Sequence, residues 1–196
     1  MFTGIIKNQG LFKGYRSGKQ EMAVEEPTLA GRLDLGESLA INGVCLSLTK
    51  KDRDTLFFYL SEETLKRTTL GLLRPQERLN LELPLSLSTP LSGHIVTGHI
   101  DGVGKLVRIK AMGKGKRFTI SFPSELRPYF VPKGSVAIDG VSLTVADLSS
   151  SAFDVQVIPI TLEESNLGAL RRGDAVNIEC DILGKYVYNW ISKYPR

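Results

Sequence analysis

The run Leu79-Asn80-Leu81-Glu82-Leu83 alternates apolar and polar residues, and Val176-Asn177-Ile178-Glu179-Cys180 does the same later in the chain. A period of two places alternate side chains on opposite faces of a strand. Val44, Leu46 and Leu48 likewise alternate with Cys45 and Ser47, and Val141, Leu143 and Val145 alternate with Ser142 and Thr144. Just before those runs, Leu39-Ala40-Ile41 leads into Asn42-Gly43, and Val136-Ala137-Ile138 leads into Asp139-Gly140. Asn-Gly and Asp-Gly between apolar runs favour two-residue hairpin turns. Leu56 to Leu60 and Phe153 to Ile158 add short β-prone runs, while Thr64 to Leu73 and Thr161 to Leu170 each predict a short helix. Short strands with regular turn signals predict an all-β chain built as small closed barrels.

The pattern is also duplicated. Ile41 to Leu48 reads INGVCLSL and Ile138 to Val145 reads IDGVSLTV. The offset of 97 holds without a gap from Ser38/Ser135 to Glu82/Glu179, pairing Thr64-Leu65 with Thr161-Leu162, Leu70-Gly71 with Leu167-Gly168, and Asn80 with Asn177. Upstream, Thr3-Gly4-Ile5 matches Asp101-Gly102-Val103 loosely, at an offset of 98. Two copies of this length predict tandem domains of like fold, not a solenoid. Pro90 to Gly93 interrupts the strand pattern and sets the boundary, giving domains over 1–94 and 95–182.

Over 183–196 the period changes. Leu183, Tyr186, Val187, Trp190, Ile191 and Tyr194 recur at helical spacing. They predict an amphipathic helix of about three turns. Its apolar stripe either covers the chain's own barrel or packs against another subunit.

Composition narrows the function classes. With 25 basic and 21 acidic residues among 196, the net charge of +4 is too small and dispersed for nucleic-acid binding. The basic run from Arg108 to Arg117 contains two glycines and is read as a solvated hairpin tip between strands. No apolar run approaches a membrane span, and the start lacks the pattern of a signal peptide. Two cysteines, Cys45 and Cys180, make no disulfide framework and fit a reducing cytoplasm.

The strand alternation places Cys45 and Ser47 on one face, and Ser142 and Thr144 on the equivalent face of the second copy. Both copies keep short hydrogen-bonding side chains where a plain outer surface would tolerate anything. A lone free cysteine is more often a small buried hydrophobe than a reactive thiolate. The histidines, His94 and His99, lie in GHIVTGHIDG. Their odd spacing turns the rings to opposite sides of a strand and argues against a shared metal. Gly98 removes bulk beside His99, a residue suited to proton transfer near neutral pH. Asp181 is asymmetric, since its counterpart is Pro84, and a turn or capping role is its simplest reading. No Walker, Rossmann or Ser-His-Asp motif occurs.

The opening MFTGII, the phrases INGVCLSL and IDGVSLTV, SGHIVTGHIDG, and the paired TLKRTTLG and TLEESNLG together resemble the riboflavin synthase family over essentially the whole chain. The resemblance implies two tandem six-stranded barrels of Greek-key type, with a C-terminal helix that holds a homotrimer. It implies a transferase in which two 6,7-dimethyl-8-ribityllumazine molecules exchange four carbons, giving riboflavin and 5-amino-6-(D-ribitylamino)uracil. Neither cofactor nor metal is implied, and lumazine synthase is the macromolecular partner it suggests.

Carried over by motif, the first barrel's pocket takes Gly4, Ile5, Ile6, Cys45, Leu46, Ser47, Tyr59, Leu60, Ser61, Glu62, Glu63 and Thr64. The second takes Gly98, His99, Ile100, Ser142, Leu143, Thr144, Ile158, Pro159, Ile160, Thr161, Leu162 and Glu163, with Lys133 reaching a neighbour's ligand. The positions matching the family's catalytic residues are Ser38, Cys45, His99, Ser142, Thr144 and Asp181. Chemistry casts His99 as proton acceptor, with Thr144 positioning it or the substrate, and Cys45 and Ser142 as aids to addition at the partner ring. Two departures stand out. Ile160 replaces the family's usual His or Glu, and Ser47 its usual threonine. The rival reading is a non-catalytic lumazine- or flavin-binding antenna on the same double barrel.

Overall fold

In the computed structural model, which describes residues 1–193, the first unit contains β1 (Asn8–Arg16), β2 (Glu21–Glu25), β3 (Ser38–Ile41), β4 (Val44–Asp52), β5 (Thr55–Tyr59) and β6 (Arg78–Glu82). The second contains β7 (Gly102–Met112), β8 (Gly115–Ser121), β9 (Ser135–Ile138), β10 (Val141–Leu148), β11 (Ala152–Val157) and β12 (Ala175–Cys180). Helices α1 (Pro27–Ala30) and α2 (Glu62–Arg67) belong to the first unit, α3 (Pro159–Glu164) to the second, and α4 (Ile182–Lys193) follows. The short helices predicted from Thr64 and Thr161 begin two residues earlier and each continue into a 3-10 turn.

Each set of strands closes into an antiparallel barrel, in the order β1-β2-β5-β4-β3-β6 and its counterpart β7-β8-β11-β10-β9-β12. Strands β3, β4 and β5 run as consecutive neighbours while β2 lies beside β5, which is a Greek-key arrangement. Bulges recur in equivalent places, in β1 and β7 and in β4 and β10, and bend those strands around the barrel. Phe12, Met22, Leu39 and Phe58 fill the first interior, and Phe118, Ile120, Val136 and Phe153 the second. The basic run is the β7–β8 hairpin, turning at Gly113-Lys114.

The duplicated phrase lies where the barrels meet. Asn42-Gly43 has φ of 45° and 77°, and Asp139-Gly140 has 45° and 81°, the backbone of tight hairpin turns with consecutive positive φ. The two turns touch. A Cβ on Gly43 would lie 2.6 Å from the Gly140 amide nitrogen, and one on Gly140 would lie 2.8 Å from that of Gly43.

A buried hydrogen-bond network surrounds this contact with approximate two-fold symmetry. Asn80 Nδ2 donates to the Asp139 carbonyl and Asn177 Nδ2 to the Asn42 carbonyl, both at 2.9 Å. Their side-chain oxygens accept from the Asn166 and Thr69 amides, at 2.6 and 2.7 Å. Asn80 and Asn177 thus occupy the polar side of an alternating strand yet face the other barrel, where pairing removes the desolvation penalty of burying them.

Helix α4 docks through a narrow face. Tyr188 packs edge-on against Tyr129 with ring centroids 5.4 Å apart, and Lys185 pairs with Asp101 at 2.7 Å. A Cβ on Gly184 would come 2.9 Å from the Tyr129 carbonyl oxygen. The predicted stripe of Leu183, Tyr186, Val187, Trp190 and Ile191 is exposed, so in this chain it does not cover the barrel. Tyr194 lies outside the described residues. No described helix is long and apolar enough to cross a membrane.

Candidate active site

Two segments that precede the barrels' first strands build the site. Glu82 Oε1 accepts from the Thr3 amide and hydroxyl, both at 2.7 Å, and Oε2 from the Gly4 amide at 3.1 Å. Glu179 repeats this with the Thr97 amide and hydroxyl at 2.6 and 2.7 Å and the Gly98 amide at 2.9 Å. Three matched bonds per carboxylate make Thr97-Gly98 the equivalent of Thr3-Gly4. The offset there is 94, which corrects the expected match to Asp101-Gly102 and makes Ile5 the counterpart of His99. Phe2 and Val96 join the segments by an antiparallel bridge.

Each segment then crosses to the other barrel. The Gly4 carbonyl accepts from the Ser142 amide at 2.8 Å, and the Gly98 carbonyl from the Cys45 amide at 2.9 Å. A Cβ on Gly4 would come 2.6 Å from Ser142 Cβ, and one on Gly98 2.4 Å from Cys45 Cβ, with φ of 77° and 84°. Only glycine meets both requirements. Ile6 accordingly lies in the second barrel's core, while Ile100 packs on the first. The motif-based division is therefore exchanged. Gly98, His99 and Ile100 stand at Cys45, and Gly4, Ile5 and Ile6 stand at Ser142. Linear order misassigned them because the clamp residues, Glu82 and Glu179, lie far along the chain.

The alternation on β4 and β10 matches expectation. Cys45 and Ser142 are half-buried, Ser47 and Thr144 exposed, and Leu46 and Leu143 turned to the cores. Ser38 lies opposite Ser47 on the neighbouring strand. Around Cys45, Tyr59 is exposed and Leu60 buried. Ser61 Oγ caps α2 by accepting from the Thr64 amide at 3.1 Å, and Glu62 and Glu63 face outward. Around Ser142, Ile158, Pro159 and Ile160 are exposed, Thr161 and Leu162 are half-buried, and Glu163 faces solvent. Lys133 is exposed in a turn with φ of 66°. Asp181 Oδ1 accepts from the Leu183 amide at 3.0 Å, so it caps α4. No hydrogen bond joins His99 to Thr144 among the described residues, because the crossing puts them on different barrels. Nor do three or more described His, Cys, Asp or Glu residues group to hold a metal ion.

The sequence matches a family model described as the lumazine binding domain twice, over residues 3–84 and 97–181. The matches begin at Thr3 and Thr97, the residues bound by the two glutamates. The riboflavin synthase of Actinobacillus pleuropneumoniae is 38% identical, covering 100% of this chain and 92% of its own. The chain belongs to the riboflavin synthase family. That of Bacillus amyloliquefaciens is 34% identical over 98% of this chain and 91% of its own. Among solved structures, LumP complexed with riboflavin has a TM-score of 0.85 at 23% identity, covering 92% of this chain and 99% of that one. LumP complexed with 6,7-dimethyl-8-(1'-D-ribityl) lumazine has a TM-score of 0.82 at 22% identity, over 91% and 98%. This likeness is one of fold.

Within this member of the family, His94 occupies a place that sequence reasoning did not give it. Its Nδ1 lies 2.7 Å from Ser142 Oγ, and the residue is 9% exposed. Burial pushes its pKa down, opposed by the charge of Asp181. The second glutamate clamp was legible as Glu179 matching Glu82 at offset 97, but nothing in the chain pointed to their partners. Glu82 is pushed up by burial, against the bonds donated by Thr3 and Gly4. Burial also raises the Cys180 thiol well above its usual range, which leaves it protonated and inert.

Proposed function

We propose that the chain catalyses the dismutation of two 6,7-dimethyl-8-ribityllumazine molecules to riboflavin and 5-amino-6-(D-ribitylamino)uracil. The observation that carries this reading is the pair of equivalent crossing sites, one at Cys45 and one at Ser142, in a chain 38% identical to a riboflavin synthase over its full length. Two related pockets suit a reaction between two copies of one substrate. The products together contain the atoms of the two substrates, so no outside oxidant or reductant is needed.

A ring methyl of one lumazine loses a proton and the charge spreads into the heterocycle. His99 is exposed beside Gly98 and Cys45, and it serves as the acceptor at the first barrel. Addition at the partner ring and transfer of four carbons follow, with Cys45 and Ser142 at the two rings. Holding the rings in register supplies much of the acceleration. The position of His99 and Thr144 on different barrels supports a complete site formed between subunits, with one barrel from each. The exposed side chains of Leu183, Val187 and Ile191 on α4 support a homotrimer as the assembly that closes these sites.

Incubating the purified protein with the lumazine and following riboflavin by absorbance tests the reading. One riboflavin is expected for every two lumazines consumed. Tight binding without turnover would overturn it in favour of an antenna protein.

A further inference from the structure

The two crossing sites differ in one buried group. At the first, Cys45 meets the Gly98 backbone. At the second, residues 93–94 also come alongside Thr3 and Ser142. The His94 amide donates to the Thr3 carbonyl at 3.2 Å, and a Cβ on Gly93 would lie 3.1 Å from Ser142 Oγ. This packing lays the His94 ring on the Ser142 hydroxyl, Nδ1 to Oγ at 2.7 Å. The other ring nitrogen, Nε2, is buried with no hydrogen-bond partner among the described residues.

That idle atom fixes the proton. A neutral imidazole carries one N–H and one acceptor nitrogen. A buried N–H without an acceptor is costly and rarer than an acceptor left unused. The hydrogen therefore sits on Nδ1 and Nε2 carries the lone pair. We infer that His94 is a positioning residue: its Nδ1–H donates to Ser142 Oγ, so the Ser142 hydroxyl hydrogen turns into the second barrel's pocket as a donor to a carbonyl oxygen or ring nitrogen of the bound heterocycle. Ser142 then binds and polarises the ring; it is not a nucleophile whose proton His94 removes. Burial, which disfavours the imidazolium, keeps the ring neutral and agrees with this arrangement. Among the described residues Cys45 has no such partner, so this device marks the second site. The ligand part of the inference rests on the proposed lumazine chemistry, whereas the tautomer does not.

The test uses the full-length protein labelled with 15N-histidine, whose two histidines give separable signals because His99 is exposed. His94 is expected to show a protonated Nδ1 and an unprotonated Nε2 at neutral pH, with a change in Ser142→Ala. An Nε2–H tautomer, or an imidazolium, would overturn the inference whether or not the protein turns over lumazine. Steady-state kinetics then read the consequence. His94→Leu should reduce kcat/KM by about five- to tenfold, the scale of one oriented hydrogen bond. His94→Asn, whose Nδ2 can replace the Nδ1 donor, should recover most of it. Equal losses in both variants would make His94 merely structural, and absence of turnover in the wild type would refute the function while leaving the tautomer result standing.

Discussion

The two barrels share their backbone-fixing groups and differ in the side chains that reach outward. Glu82 and Glu179 hold matching Thr-Gly pairs, Asn80 and Asn177 tie matching turns, and Gly43 and Gly140 touch across the interface. Against that, Cys45 answers Ser142, Ile5 answers His99, and Pro84 answers Asp181. Even the outer wall diverges. Phe57 lies under Arg16 and Lys50 in one barrel, while Asp154 pairs with Arg117 in the other. Groups buried against backbone have few substitutes, because an unpaired buried amide or a misplaced Cβ costs stability directly. Groups facing a pocket or solvent can diverge, and this lets two copies of one fold take unequal parts in a reaction.

The comparison is broken most severely at its centre. Gly43→Val or Gly140→Val should destabilise the protein by about 3 kcal/mol or more, since the new side chain meets the opposite turn's backbone at a positive φ. Gly36→Val, also at positive φ but with nothing within 4 Å, should cost only about 1–2 kcal/mol. Urea midpoints for the three variants measure the gap, and equal losses would deny the turn-to-turn contact its importance.

A smaller effect, and a sharper one, is expected at the clamps. Glu179→Gln should cost about 2 kcal/mol by leaving one of three donors opposed, and Glu82→Gln a similar amount. Their consequences should separate by barrel. The first frees the Cys45 amide from Gly98, and the second frees the Ser142 amide from Gly4. Amide exchange should rise at Cys45 in one variant and at Ser142 in the other. Exchange that rises in the same barrel as the mutated glutamate would contradict the crossing.

A further effect depends on pH and is centred on one turn. Asp139 stands where the first barrel has Asn42, and burial pushes its carboxyl up to about 7, against bonds donated by Asn177 and Asn166. The folded pKa exceeds the ordinary value of 3.8, so the native state holds the proton more strongly than the unfolded chain. The associated stability is fully present below about pH 4 and is lost as pH rises through about 7. Urea midpoints of the wild type should fall between pH 5 and 8 relative to those of Asp139→Asn. A difference between the two curves that stays constant with pH would exclude Asp139 as the source.

Much of this was readable from local patterns. The alternation around Cys45 and Ser142, the paired hairpin turns and the amphipathic terminal helix depend on neighbours within a few residues. The 97-residue offset likewise exposed the duplication and the match of Asn80 with Asn177. The crossing was not readable. Thr3-Gly4 and Thr97-Gly98 are too short to align by themselves, and the glutamates that hold them lie 79 and 82 positions away. His94 was visible only as a histidine, since its contact with Ser142 spans 48 residues.

The sequence by itself therefore determined the elements and the duplication, because propensity and periodicity act over short stretches of chain. Tertiary structure alone decided which barrel each N-terminal segment serves, which histidine is buried, and that Leu183, Val187 and Ile191 are exposed on the helix. Those outcomes depend on where distant carboxylates, amides and glycine backbones meet in space, and there burial makes each unpaired polar group costly enough to select a single arrangement.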